Sequence, residues 1–152
     1  MQLWRILFAE RAASALDPVG NPEGRFHHDG QKALYAALTP EGAGASLTRY
    51  LGEDDPPRVI VGLELSGGRL LDLDDDTLGF PPTVPSHRWD LDRKDGRRPP
   101  TWDLADAVRA SGHDGFLYRS RLRPDLKNLA LFRWNSPAAP TLAVNTPTRP
   151  WP

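Results

Sequence analysis

The sequence predicts an α+β domain with a mixed, mostly antiparallel sheet and flanking helices. Three observations carry that expectation. Strand-like runs such as Leu3–Phe8, Val59–Leu65 and Asn128–Trp134 are spread along the chain. Two helix-start signals, Thr39-Pro40-Glu41 and Thr101-Trp102, stand far apart among them. The 16 prolines cluster in Pro81–Pro85, in Arg97–Pro100 and near the end, which implies long ordered loops and speaks against a helical bundle. Hairpins mixed with separated helices read as α+β. The 152 residues are enough for one domain with a real core and too few for two.

The elements follow in order. Leu3–Phe8 is a short buried strand with Arg5 as its one charge. Ala9–Asp17 is loosely helical, Pro18–Gly30 is loop, and Ala33–Ala37 is a strand. Thr39 is an N-cap with Pro40 at the first helical position, where a missing N–H costs nothing. That helix runs to about Leu51 through Gly42 and Gly44. Each glycine costs about 1 kcal/mol against alanine, so two on one short helix imply close packing on its backbone. Gly52 stops it, and Glu53–Pro57 is an acidic turn.

Val59–Leu65 and Arg69–Leu73, joined by Gly67-Gly68, predict a hairpin. Thr77–Pro100 reads as an irregular excursion. Thr101 is predicted to cap a helix from Trp102 to about Ala110, with Gly112 as its stop. Gly115–Arg119 and Asn128–Trp134 are the last predicted strands. The reading is a domain over residues 1–135 and a proline-rich tail, 136–152, without regular structure. Trp89, Trp102 and Trp134 are expected as core anchors, since large aromatics bury well.

Composition narrows the chemistry. With 19 basic and 20 acidic residues the net charge is -1, which gives no electrostatic case for direct nucleic-acid binding. The absence of cysteine excludes disulfides and thiolate metal sites. No apolar run has the length of a membrane span, and Leu3–Phe8 is too short and too soon charged for a signal peptide, so a cytoplasmic protein is expected. The acidic run Asp72–Asp76 fails as a calcium loop, because Thr77 and Thr83 stand where glycine and glutamate are needed. His27 and His28 are adjacent, and neighbouring side chains diverge in extended chain, so no metal is expected there. No G-x-S-x-G, phosphate-binding P-loop or G-x-G-x-x-G occurs.

The richest stretch is Gly24–Ala43, with an arginine, two histidines, an aspartate and a tyrosine ahead of the first helix start. Within the whole chain it forms part of an ordered set: Leu3-Trp4-Arg5, Gly24-Arg25-Phe26, Gly30 with Leu34-Tyr35, Thr39-Pro40-Glu41, Asp114-Gly115-Phe116 with Ser120, and Asn128–Phe132. In that order and spacing the chain resembles the RES domain, the toxin half of a bacterial toxin–antitoxin family. One element departs. The family glutamate belongs eleven residues beyond the tyrosine, and Ser46 stands there.

The resemblance implies an ADP-ribosyltransferase-like fold and a toxin that consumes NAD. It implies cleavage of the nicotinamide–ribose bond, with ADP-ribose passing to water, phosphate or a protein. It further implies an antitoxin partner with an Xre-like helix-turn-helix domain. Catalytic candidates are Arg25, Tyr35, Ser46 and Ser120; NAD-binding candidates are Arg5, Arg25, His27, Tyr35 and Ser120. Arginine forks suit a pyrophosphate, Tyr35 suits the cationic nicotinamide ring, and Ser120 suits its amide or the ribose. A carboxylate would steady an oxocarbenium-like ribose, and Ser46 offers none. Two alternatives stand beside this reading. One is an endoribonuclease toxin using His27 or His28 as base; the other is a member that binds NAD with weakened turnover.

Overall fold

The computed structural model describes residues 1–152. Its strands are β1 (Gln2–Phe8), β2 (Leu34–Ala37), β3 (Arg58–Ser66), β4 (Leu70–Asp72), β5 (Gly115–Arg119), β6 (Lys127–Leu131), β7 (Thr141–Val144) and β8 (Arg149–Trp151). The α-helices are α1 (Pro40–Leu47), α2 (Trp89–Lys94) and α3 (Pro100–Ala110). All strands join one sheet in the order β4-β5-β6-β2-β1-β3-β7, with β8 also on β3. Every pairing is antiparallel except β4 with β5. The α+β expectation holds. No helix is long and apolar enough to cross a membrane.

The sheet curls, so that Leu65 on β3 and Leu131 on β6 share one apolar cluster although β2 and β1 lie between their strands. A second cluster forms under α3, where Leu104 and Val108 meet Phe26 and Phe116. Phe26 is fully buried and packs edge-on against Phe116, ring centroids 4.8 Å apart. Trp102 and Trp134 are core residues as expected, whereas Trp89 is half-buried.

Helix α1 begins as its sequence dictates. The Thr39 hydroxyl accepts from the Gly42 N–H at 3.0 Å, and Pro40 opens the first turn. The two glycines also find the predicted close neighbours. A Cβ on Gly42 would sit 3.2 Å from the Ala37 methyl, and one on Gly44 would sit 3.5 Å from the Trp151 ring. The helix ends sooner than expected, at Leu47, and tightens into a 3-10 turn over Thr48–Tyr50.

Four expectations are corrected. The hairpin does not form: β4 pairs in parallel with β5, at the opposite end of the sheet from β3. Both edges of β3 are already taken, by β1 on one side and by β7 and β8 on the other. Gly67 and Gly68, at φ of 76° and 89°, instead turn the chain away toward β5. The tail is not irregular, since it supplies β7 and β8, and Trp151 lies over α1. The excursion from Thr77 contains α2 and a 3-10 turn at Val84–Ser86. Thr101 does not cap α3. Pro99 is the N-cap and Pro100 the first helical residue, because two prolines already fix φ and lack the N–H that a cap would satisfy.

Candidate functional site

A cavity of about 940 Å³ opens between β1, β2, α1 and the loops before β2 and after β5. That lies at the upper end of the range for small-molecule sites. Arg5, Arg25, His27, Tyr35, Ser46 and Ser120 all line it, although they are scattered over the chain. The wall also carries Arg11, Arg49, Arg58 and Arg121, which gives six arginines against two acids, Asp17 and Glu23. Glu23 is engaged by Arg93 through two hydrogen bonds of 3.1 Å. The cavity is therefore cationic in a chain that is nearly neutral overall, and it suits an anion.

The loop that presents Arg25 is held by one face of α3. Trp102, Asp106 and Arg109 recur at the spacing of a single helical face. The Trp102 indole N–H donates to the Gly24 carbonyl at 2.8 Å. The Arg109 guanidinium donates to the Phe26 carbonyl at 2.8 Å. His28 lies between Asp29 (2.7 Å) and Asp106 (2.8 Å) and stacks on Trp102. Gly24 must be glycine, since a Cβ there would overlap the His27 ring. With Gly24 and Phe26 fixed on either side, Arg25 is aimed by its neighbours. Its own hydrogen bonding is slight, a single contact of 3.4 Å to the Pro85 carbonyl.

Tyr35 sits in a directed chain of hydrogen bonds. The Phe26 N–H donates to its phenol oxygen at 3.0 Å. His27 Nε2 faces the Asn21 carbonyl at 2.9 Å, so that nitrogen carries the proton. In the neutral ring Nδ1 then accepts from the Tyr35 hydroxyl, at 2.7 Å. Burial pushes the Tyr35 phenol well above its ordinary range. His27 thus meets the cavity chiefly through Tyr35, and both its ring nitrogens are already engaged.

Burial also lowers the pKa of His27, with Arg109 and His28 nearby adding to the effect and the Asn21 carbonyl opposing it. Unfolded His27 therefore binds more protons than folded His27 between the depressed value and 6.5. Stability from this group rises with pH through that window and is complete above it. We expect the urea midpoint of the wild type to fall from pH 7.5 to pH 5 by more than that of His27→Gln. Equal falls would show that His27 contributes nothing to the acid sensitivity.

Arg5 is buried and donates to the carbonyls of Ala15 and Asp17, so it braces the segment after β1 as well as lining the cavity. Desolvation lowers its pKa to about 10, against the opposing charge of Asp17. Ser120 is buried, and its hydroxyl oxygen accepts from the Arg123 N–H at 3.3 Å, which leaves its proton available. Ser46 is exposed; its hydroxyl donates to the Gly42 carbonyl at 2.9 Å and accepts from the Asn128 amide at 3.4 Å. Glu41 is exposed and is not on the cavity wall.

Arg49, Arg121 and Asn128 are among the wall residues that the sequence does not single out as site candidates. Arg49 and Arg121 come from the turn after α1 and the loop after β5. Desolvation lowers the pKa of Arg121, and the guanidinium groups of Arg49, Arg88 and Arg25 lower it further. That crowding of like charge has only Asp90 as a near counter-charge. Asn128 closes the floor from β6. No group of three or more His, Asp or Glu side chains is placed to hold a metal ion.

Comparison with known proteins fits this architecture. The sequence model of the RES domain family matches residues 2–152. Among solved structures, the chain is similar to the crystal structure of the M. tuberculosis MbcT–MbcA toxin–antitoxin complex. The TM-score is 0.62, over 99% of this chain and 83% of that chain, at 14% sequence identity. A likeness at that identity concerns the fold. No curated protein matches the chain in sequence.

Proposed function

Because the chain belongs to the RES domain family, we propose that it is the toxin of a bacterial toxin–antitoxin system and consumes NAD. The reaction is cleavage of the nicotinamide–ribose bond. The observation that supports this best is the cationic cavity that gathers Arg25, Tyr35 and Ser120 with the lightly bonded Arg121. A pyrophosphate needs convergent guanidinium groups, which bind phosphate oxygens through paired hydrogen bonds. Arg25 and Arg121 have no carboxylate within ion-pair distance, so their charge is available to a ligand. Tyr35, held by Phe26 and His27, offers a fixed aromatic surface for a cationic ring. Ser120 retains a hydroxyl proton for the nicotinamide amide or a ribose oxygen.

The partner in this reading is an antitoxin with an Xre-like helix-turn-helix domain that covers the cavity. Tyr50 and Leu122 line the cavity and are 57% and 46% exposed, the kind of apolar rim that a partner buries. The reading is tested by incubating the purified chain with NAD and following free nicotinamide. Release is expected, as are growth arrest on expression alone and capture of a partner from the native cell. No release, harmless expression and no partner would together defeat it.

A second reading has one observation in its favour. No carboxylate stands at Ser46, so the chain binds NAD and turns it over slowly. Tight NAD binding with negligible nicotinamide release would select it. The endoribonuclease reading gains no support, because both ring nitrogens of His27 and of His28 are hydrogen-bonded within the protein.

A further inference from the structure

Six large apolar side chains are exposed on the chain, and four of them are Tyr50, Leu51, Leu91 and Leu122. They belong to the turn after α1, to helix α2 and to the loop after β5. Each of those segments also supplies the cavity wall, through Arg49, Trp89 and Arg121. Single exposed apolar residues are ordinary, whereas several gathered around one mouth mark a surface that something covers.

The same rim is positively charged. Arg88 grips the Asp90 carboxylate through two hydrogen bonds of 2.9 and 2.8 Å. Arg49 stands 4.0 Å from that carboxylate. Arg121 makes no ion pair; Arg49, Arg88 and Arg25 act on it as like charges, with Asp90 the one opposing acid. Arg49, Arg88 and Arg121 therefore share a single carboxylate. The apolar and cationic parts form one patch, since Arg49 donates to the Tyr50 hydroxyl at 2.9 Å and lies over its ring. Arg88 is not on the cavity wall, so a ligand inside the cavity does not account for it. Tyrosine and arginine are the side chains that protein interfaces favour. The complement of this rim is a peptide segment with the reverse charge, apolar side chains flanked by Asp or Glu.

We propose that the antitoxin docks on this rim through an acidic, apolar segment, and that one of its carboxylates takes Arg121. Carboxylate and phosphate both suit a guanidinium fork, so the segment and the pyrophosphate of NAD compete for the same arginine. Asp90 weakens the attraction that the arginines exert and sets its strength. The inference rests on the toxin–antitoxin reading and is independent of the chemistry at the ribose.

The experiment uses the antitoxin that co-purifies with the wild-type chain from its native cell, identified by mass spectrometry and then produced alone. It is titrated by calorimetry onto the wild type, Arg88→Glu and Asp90→Asn. Arg88→Glu is expected to bind about tenfold more weakly, as a rim charge reversed against its partner. Asp90→Asn is expected to bind more tightly, because it removes the one acid that faces the arginines. The opposite signs separate an electrostatic role from damage to the rim, which would weaken both variants. Equal affinities in all three chains, or losses in both variants, overturn the inference and leave the toxin reading standing. So does an antitoxin that cross-links to this rim through a segment without net negative charge. Self-association of the wild type that Arg88→Glu abolishes would assign the face to a second copy of the chain and also overturns it. If the native cell yields no antitoxin, the inference and the toxin reading fall together. If the antitoxin binds with the expected signs and the free chain releases no nicotinamide, only the NAD reading falls.

Discussion

Replacing Arg25 by alanine is expected to lower nicotinamide release from NAD by about 10²–10³-fold, the scale of losing one preorganised electrostatic group. Trp102 and Arg109 satisfy the carbonyls of Gly24 and Phe26, and Phe26 is locked in the core. The fold thus fixes the residues on both sides of Arg25 and spends almost nothing on Arg25 itself, whose one hydrogen bond is the 3.4 Å contact to Pro85. An arginine so placed contributes little to stability, and the loss on truncation should stay within about 0.5 kcal/mol, as at ordinary surface positions. Its contribution lies with the ligand. Arg25→Lys should recover only a small part of the activity, because an ammonium supplies charge without the planar fork. Arg121→Ala should cost less than Arg25→Ala, since the nearby charge of Asp90 partly offsets that of Arg121. The measurement is kcat/KM for nicotinamide release, with melting temperatures to exclude unfolding. Full activity in Arg25→Ala would remove Arg25 from the site.

The parts of this fold legible in the sequence are those decided within a few residues. Thr39 and Pro40 begin α1 by local chemistry, since the hydroxyl and the missing N–H act on the same turn. Strands β1, β2, β5 and β6 announce themselves by short apolar runs. What failed was decided at a distance. Whether β4 pairs with β3 depends on which sheet edges are free, and β7 and β8 occupy the edge that a hairpin would need. Their prolines argued against strands, yet Pro150 faces Val59 on an outer strand, where a missing donor is tolerated.

The candidate site divides in the same way. Arg25 and Tyr35 stand in one compact stretch and Ser46 in the helix that follows, and it is the family resemblance that singles them out. Arg49 and Arg121 carry no local mark, Asn128 is marked only as the start of a motif strand, and all three meet the others only when the sheet curls. Trp102, Asp106 and Arg109 follow helical spacing, but nothing in the sequence marks their role, because their partners are backbone carbonyls and a histidine some eighty residues earlier in the chain.

Ser46→Glu is expected to raise nicotinamide release by about tenfold or more, as the gain of one electrostatic group aimed at a developing positive charge. Ser46 lies one residue from the end of α1 and borders the cavity next to Asn128. A glutamate there would place its carboxylate in a wall that holds six arginines and only two acids, so it would find counter-charge at once. Its cost is modest: an acid in the last turn opposes the helix dipole by about 0.3–1 kcal/mol. Activity should thus rise while the melting temperature falls slightly. Glu41 is a poor substitute for the missing acid. It precedes Ser46 by five residues, about 140° around the helix axis, and it is exposed and off the cavity wall. Glu41→Ala should change turnover little. Of the two acids on the wall, Glu23 is tied to Arg93, whereas the Asp17 carboxylate makes no hydrogen bond or ion pair and lies close enough to Arg5 to raise its pKa. Asp17→Asn therefore completes the set. A brisk wild type silenced by Asp17→Asn would move the acid from α1 to the segment that Arg5 braces. A brisk wild type silenced by Glu41→Ala would show that the helix presents a different face to NAD. A wild type that is slow, and a Ser46→Glu variant that is no faster, would mean that charge at this position does not limit the reaction.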